Sequence, residues 1–308
     1  MQNIYEAQTA NKIKSTLVVV FFFVFVAFVI YTLGLAFSYN TGSSIGGLGI
    51  AGFALILSGI LSFSGYYFSD KIVLGISGAR EASRTRDFDF YTVAENLSIG
   101  AGLPKPKLYV IDDTAMNAFA TGRDPAHSVV CATRGLLDKL TRSELEGVIA
   151  HELTHVKNYD IRLMSIVSVL VGSVALLGDL FLRVRFRGSK SDNDSGQLGA
   201  IIMVVGILLA ILSPFIAQLI QLAVSRRREF FADSGSVAIT RNPQGLIAAL
   251  TKISNDHEPL EAANKATAHL YIANPFKDKT NSAVGWFAGL FNTHPPVMQR
   301  LAALQKMS

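Results

Sequence analysis

Apolar positions gather into four long blocks divided by polar stretches, and the blocks are of two kinds. Ser15 to Ala36 and Thr41 to Ser69 contain no Asp, Glu, Lys or Arg, and each exceeds the ~20 residues that a helix needs to cross hydrocarbon. Both predict membrane-spanning helices. Tyr39-Asn40-Thr41-Gly42 lacks the small-x-small pattern of a removable secretory signal, so the first block reads as a retained anchor. The later pair, Ile161 to Leu182 with Asp179 inside it and Leu198 to Val224 with Pro214 inside it, predicts a helical hairpin. The hairpin either crosses the bilayer or is buried or only partly inserted, because Arg183, Arg185, Arg187 and Lys190 between its arms would lie outside if both arms crossed, against the positive-inside trend.

From residue 70 the pattern becomes that of a soluble domain. Arg80 to Ser98 predicts a helix, with Val93 and Leu97 on its apolar face and Pro104 and Pro106 as its stop. Short apolar runs at Lys107 to Ile111, Met116 to Thr121 and Ser128 to Thr133 predict strands, with turn chemistry at Gly122-Arg123-Asp124-Pro125. The last of these is either an exposed edge open to an extended peptide or a core strand. Thr141-Arg142-Ser143-Glu144 is a capping-box pattern, so a helix starts there and runs on through His151 and His155. The resulting organisation is a two-helix anchor over 1–69, the first part of a soluble domain over 70–160, the hydrophobic hairpin over 161–224 and the second part of that domain over 225–308.

Composition supports a membrane protein: half the residues are hydrophobic, 17 % are charged and the mean hydropathy is +0.37. Lys12 and Lys14 precede the first span, and Lys71, Arg80, Arg84 and Arg86 follow the second, which places both flanks in the cytoplasm. A net charge of +5 raises the question of nucleic acid. The basic residues cluster beside apolar segments rather than among aromatics, so anchoring to a lipid bilayer is expected and nucleic-acid binding is not. Cys131 is the single cysteine, which rules out an internal disulfide. The glycines from Gly34 to Gly52 lie in and between apolar spans and predict close helix packing, not nucleotide binding.

Chemistry enters with His151-Glu152-Leu153-Thr154-His155. Two histidines four apart share one helix face and can reach one ion, with Glu152 beside it as a general base. Random placement of six histidines and nine glutamates in 308 residues would produce this motif only ~0.3 % of the time, so two solvated surface histidines are the weaker account. Glu229, in Arg228-Glu229-Phe230-Phe231-Ala232-Asp233, is the expected third ligand. The hairpin places nearly equal lengths of chain between its tip and each of His155 and Glu229, which brings them to one level; a carboxylate paired with Arg226, Arg227 or Arg228 is the alternative. Two imidazoles and one carboxylate suit one Zn2+ per chain. Asp233, one helical turn after Glu229, could take the second ring N–H of a ligand histidine, or it is a plain surface aspartate. His127, His257 and His269 lack ligand spacing and are expected to be structural or exposed.

The His151 to His155 motif with Asn158 and Asp160, the Ser225 to Asp233 stretch, and Thr293-His294-Pro295-Pro296 with Arg300 together resemble the HtpX membrane zinc metallopeptidases. Met116 to Gly122 and Ala268 to Phe276 are similar to further segments of that family, which is related to the prenyl-protein (CAAX) endopeptidases. The resemblance implies an α+β, mainly α fold: integral membrane helices plus a cytosolic zincin-like metallopeptidase domain with a small β-sheet. It implies zinc-dependent cleavage of misfolded or damaged membrane proteins at the bacterial inner membrane, under stress, with a multi-pass anchor and a cytoplasm-facing site. It also implies that His294 and Asn117 donate hydrogen bonds to substrate or a developing oxyanion, and that Arg300 orients Glu229. A turn histidine, a turn asparagine and a surface ion pair are the plainer readings of those three. A non-catalytic adaptor or chaperone with a structural zinc site is the alternative for the whole chain.

Overall fold

The computed structural model describes residues 4–41, 47–172, 225–263, 267–275 and 295–307. Most of the predicted hairpin, from 173 to 224, lies outside the described residues, as does His294. Two long helices, α1 (Ile4–Thr41) and α2 (Gly47–Tyr67), lead the chain and pack against each other. Each is long and apolar enough to cross a membrane, over Gln8–Thr32 and Gly49–Tyr67. Their outer faces leave Leu17, Val20, Val24, Phe28, Phe53, Ile56 and Phe63 exposed, a continuous apolar surface that water does not favour. The first helix starts eleven residues before the predicted span, and in the added turns Gln8 and Asn11 bond to the rest of the protein.

After α3 (Ser69–Ile76) comes a four-stranded mixed sheet, order β1-β2-β4-β3, formed by β1 (Arg80–Glu81), β2 (Lys107–Ile111), β3 (Ala118–Gly122) and β4 (Ser128–Thr133). β2 and β4 are parallel, and β1 and β3 add antiparallel at the two edges. β4 is therefore an interior strand, not an edge open to a peptide. Alternation on β4 explains why it is apolar throughout: Val130 and Ala132 face one core, while Val129 and Cys131 face the other.

Two corrections concern the helix expected over Arg80 to Ser98. Its first two residues are strand β1, and α4 runs over Phe88–Ala101. Asp87 accepts the Ser83 N–H at 2.8 Å and an Arg134 N–H at 2.7 Å, so a side-chain turn replaces helix at this point. The stop is Gly102 in the left-handed region at φ 67°, two residues before the first proline.

Helix α6 (Arg142–Lys157), preceded by the short α5 (Arg134–Lys139), is buried along most of its length. It lies against α4, β3, α7 (Arg226–Thr240) and α8 (Pro243–Asn255). Val148, Ile149 and Leu153 meet Phe90, Val93, Val130, Leu246 and Leu250 in the first core. Complete burial of such side chains stabilises by roughly 1.5–3 kcal/mol each. Gly147 is needed where α6 meets α8, since a Cβ there would stand 2.6 Å from the Leu246 backbone nitrogen. Beneath the sheet, Leu163, Val167 and Leu170 of a helical stretch over 160–172 join Val73, Leu74, Phe119, Tyr271 and Val18 of α1 in the second core. The C-terminal helix α9 (Val297–Gln305) closes against α7 and α8.

Candidate metal centre

The metal helix begins as its sequence dictates. Thr141 and Glu144 form a capping box, with the Glu144 carboxylate accepting the Thr141 N–H at 2.7 Å and a Lys252 ammonium bond at 2.7 Å. Three turns later His151 and His155 emerge on one face, with their rings edge to face at 4.8 Å. Across from them α7 presents Glu229. His151, His155 and Glu229 are all buried and offer ligand atoms within 4.8 Å of one another.

The imidazoles are aimed from behind. Asp233 Oδ1 lies 3.0 Å from His151 Nδ1, and Asp160 Oδ2 lies 2.9 Å from His155 Nδ1. A carboxylate accepts, so each Nδ1 carries the proton and each Nε2 turns a lone pair inward. The two Nε2 atoms stand 3.3 Å apart, with Glu229 oxygens 3.7 Å from that of His151 and 3.6 Å from that of His155. Ligand bonds of 2.0–2.2 Å in a tetrahedral set put neighbouring donor atoms about 3.3–3.6 Å apart, so the residues present fit a small divalent ion. Lone pairs converging in a buried space repel one another unless a cation or proton lies between them. The same pull acts on a proton: burial would lower the His151 imidazole, but the bonds to Asp233 and Glu229 outweigh it and push it up to about 9.

Arg300 reaches this set from α9. Its guanidinium donates to both Asp233 oxygens, at 2.9 and 2.6 Å, and lies 3.7 Å from Glu229 Oε2. Burial alone would raise the Asp233 carboxyl, whereas Arg300 and the His151 bond hold it below the usual carboxylate range. Glu152 is 2 % exposed, and burial pushes its carboxyl above its ordinary value against the pull of His151 and His155.

Asn117 immediately precedes β3. It is 1 % exposed, its Nδ2 donates to the Ala273 carbonyl at 3.1 Å, and its Oδ1 accepts from the N–H of Ala118 at 3.1 Å and of Ala273 at 3.4 Å. It straps the segment around Ile272 to β3, where Ile272 N–H also bonds to the Ala118 carbonyl. His127 pairs with Asp124 at the surface, and His269 is buried beside Ser168.

Sequence reasoning assigned no role to Asp160. Its signal was its place five residues after His155, within reach once the helix turns at Asn158 and Tyr159.

A helix-borne His-Glu-x-x-His motif, a carboxylate from a second helix and a flanking mixed sheet define a metallopeptidase. The chain belongs to peptidase family M48, whose sequence pattern matches residues 85–308. It is 42 % identical over 307 residues to a protease HtpX homolog of Dictyoglomus turgidum (strain DSM 6724 / Z-1310), covering 98 % of this chain and 94 % of that one. A protease HtpX homolog of Streptococcus uberis (strain ATCC BAA-854 / 0140J) is 38 % identical over 308 residues, covering 99 % and 100 %. Among solved structures, S. mikatae Ste24p matches at TM-score 0.47 and 19 % identity, over 88 % of this chain and 64 % of that chain. The protein is thus a metalloprotease, a hydrolase of peptide bonds.

Proposed function

We infer that this metalloprotease is a zinc-dependent endopeptidase of the bacterial inner membrane. It cleaves misfolded or damaged membrane proteins from the cytoplasmic side as part of stress-linked quality control. The observation that carries the reading is the convergence of His151, His155 and Glu229 beside Glu152, in a chain that leads with two helices of membrane-crossing length. Lys12 and Lys14, ahead of the uncharged stretch of the first helix, and Lys71, after the second helix, support a cytoplasmic peptidase domain. On this reading 1–69 is the anchor, and 70–160 and 225–308 form one catalytic unit interrupted by the hydrophobic hairpin over 161–224.

His151, His155 and Glu229 would hold the ion, and bound zinc supplies Lewis acidity that polarises the scissile carbonyl and acidifies water. Glu152 takes the proton of the attacking water and hands it to the leaving amine; a carboxyl raised by burial is suited to carrying that proton between the two steps. Asp233 and Asp160 keep the histidine Nδ1 protons in place throughout, and Arg300 keeps Asp233 ionised. His294 is the proposed hydrogen-bond donor to the developing oxyanion.

The test compares wild type with Glu152→Gln on a membrane-protein substrate in zinc-containing detergent. A fall in cleavage of at least ~100-fold with metal retained is expected. Equal cleavage would reject Glu152 as the base, and zinc binding with no turnover in the wild type would favour the non-catalytic adaptor.

A further inference from the structure

Near its N-terminal end α1 meets the loop that follows the metal helix. Gln8 Nε2 donates to the Lys157 carbonyl at 2.9 Å, and the Lys12 ammonium stands over the Tyr159 ring, 4.2 Å from its centre. Between them Asn11, 3 % exposed, donates from Nδ2 to the Asn158 carbonyl at 2.9 Å and to Asp160 Oδ1 at 2.7 Å. The other oxygen of that carboxylate faces His155 Nδ1 at 2.9 Å.

We propose that Asn11 is a positioning residue for the metal centre: through Asp160 it fixes the ring of His155, and so makes the N-terminal helix part of the ligand scaffold. This rests on the assignment of His155 as a metal ligand. A carboxylate with two oxygens can hold an imidazole at a fixed angle only if its other oxygen is also held. Here that oxygen has two candidates, Asn11 at 2.7 Å and Arg228 Nη1 at 3.6 Å. With Asn11 removed, the buried carboxylate turns toward the guanidinium, and the acceptor position for His155 turns with it. The loop itself needs holding. Tyr159 sits at φ 60°, in the left-handed region that bulky residues avoid, so the segment carries strain that α1 contacts oppose. Partners that orient a metal ligand typically contribute 10- to 100-fold in metal affinity. Asn11 acts one bond further out, so an effect of about tenfold is expected.

The experiment uses the full chain in detergent. Zinc affinity is measured by competition with a chromophoric chelator, and the Co2+-substituted protein supplies the visible d–d spectrum. Asn11→Leu is expected to weaken zinc binding by about tenfold and to shift the cobalt bands. Gln8→Ala, which loosens the same loop without touching Asp160, is expected to change both less than Asn11→Leu does; an equal change would mean that the loop, and not the bond to Asp160, carries the effect. In Asp160→Asn, adding Asn11→Leu produces no further loss, because both act through one carboxylate. Wild-type affinity and an unaltered spectrum in Asn11→Leu would overturn the proposal, as would losses that add fully in the double variant. Should Asn11→Leu fail to fold, Asn11→Ser, too short to reach Asp160, is read against the same two outcomes. If the wild type itself binds neither zinc nor cobalt, it is the metal assignment that fails, and the two failures are thereby told apart.

Discussion

Arg300 and Asp233, 67 residues apart in the chain, form a two-pronged ion pair at 2.9 and 2.6 Å, in a site where the arginine is 1 % exposed and the aspartate is completely buried. The pair joins α9 to α7, and through His151 it joins both to the metal helix. Opening it leaves a buried charge unmatched. Arg300→Met is expected to destabilise the protein by about 3–5 kcal/mol. Arg300→Lys, which keeps the charge but loses the fork, recovers part of that. Thermal unfolding of the chelated protein in detergent, followed by circular dichroism, checks both.

The start of the metal helix predicts a pH dependence. Burial alone would raise the Glu144 carboxyl, but Lys252 and Thr141 overcome it and hold it below its ordinary value. A depressed carboxyl stabilises the fold above its unfolded pKa, and that contribution is lost as pH falls through the folded one. Glu144→Gln is therefore expected to cost about 1–2 kcal/mol at pH 7, with the difference from wild type closing in acid. Melting curves of the two proteins across that range provide the measurement. Parallel curves at every pH would show that the charge plays no part.

Gly235 on α7 faces Thr154 on α6, and a Cβ at that position would collide with the Thr154 side chain. Gly235→Ala is expected to push the helix carrying Glu229 away from the helix carrying the histidines. Overpacking of this kind destabilises by roughly 1–3 kcal/mol, and here zinc affinity falls with it. Thr154→Ser removes the colliding methyl group and is expected to restore part of the affinity in the double variant, read by chelator competition.

The features legible in the sequence are those written in local pattern. The metal helix was announced by its capping box and by ligands one turn apart, and β2 and β4 by short apolar runs that remain apolar because both faces of the sheet are covered. Strand β1 was hidden because two residues, Arg80 and Glu81, carry no periodicity. Its neighbouring helix was started too early, since the turn at Asp87 depends on a distant Arg134. The partners of Arg300, Asn117 and Asn11 were hidden for the same reason. Each is chosen by elements that meet only after folding, as with Asn11 and Asp160 across 149 residues. An asparagine at the polar end of an apolar helix looks, in sequence, like any helix entrance.

The central claim is that α6 and α7 jointly grip one divalent ion, and metal content tests it most directly. Wild type and Glu229→Ala are purified in parallel without chelator, and zinc is measured by elemental analysis after equilibration against a buffered low level of the metal. The account predicts about one zinc per wild-type chain and a large loss in Glu229→Ala, with the fold of the variant intact by circular dichroism. Equal zinc in the two proteins, or none in the wild type, would contradict it.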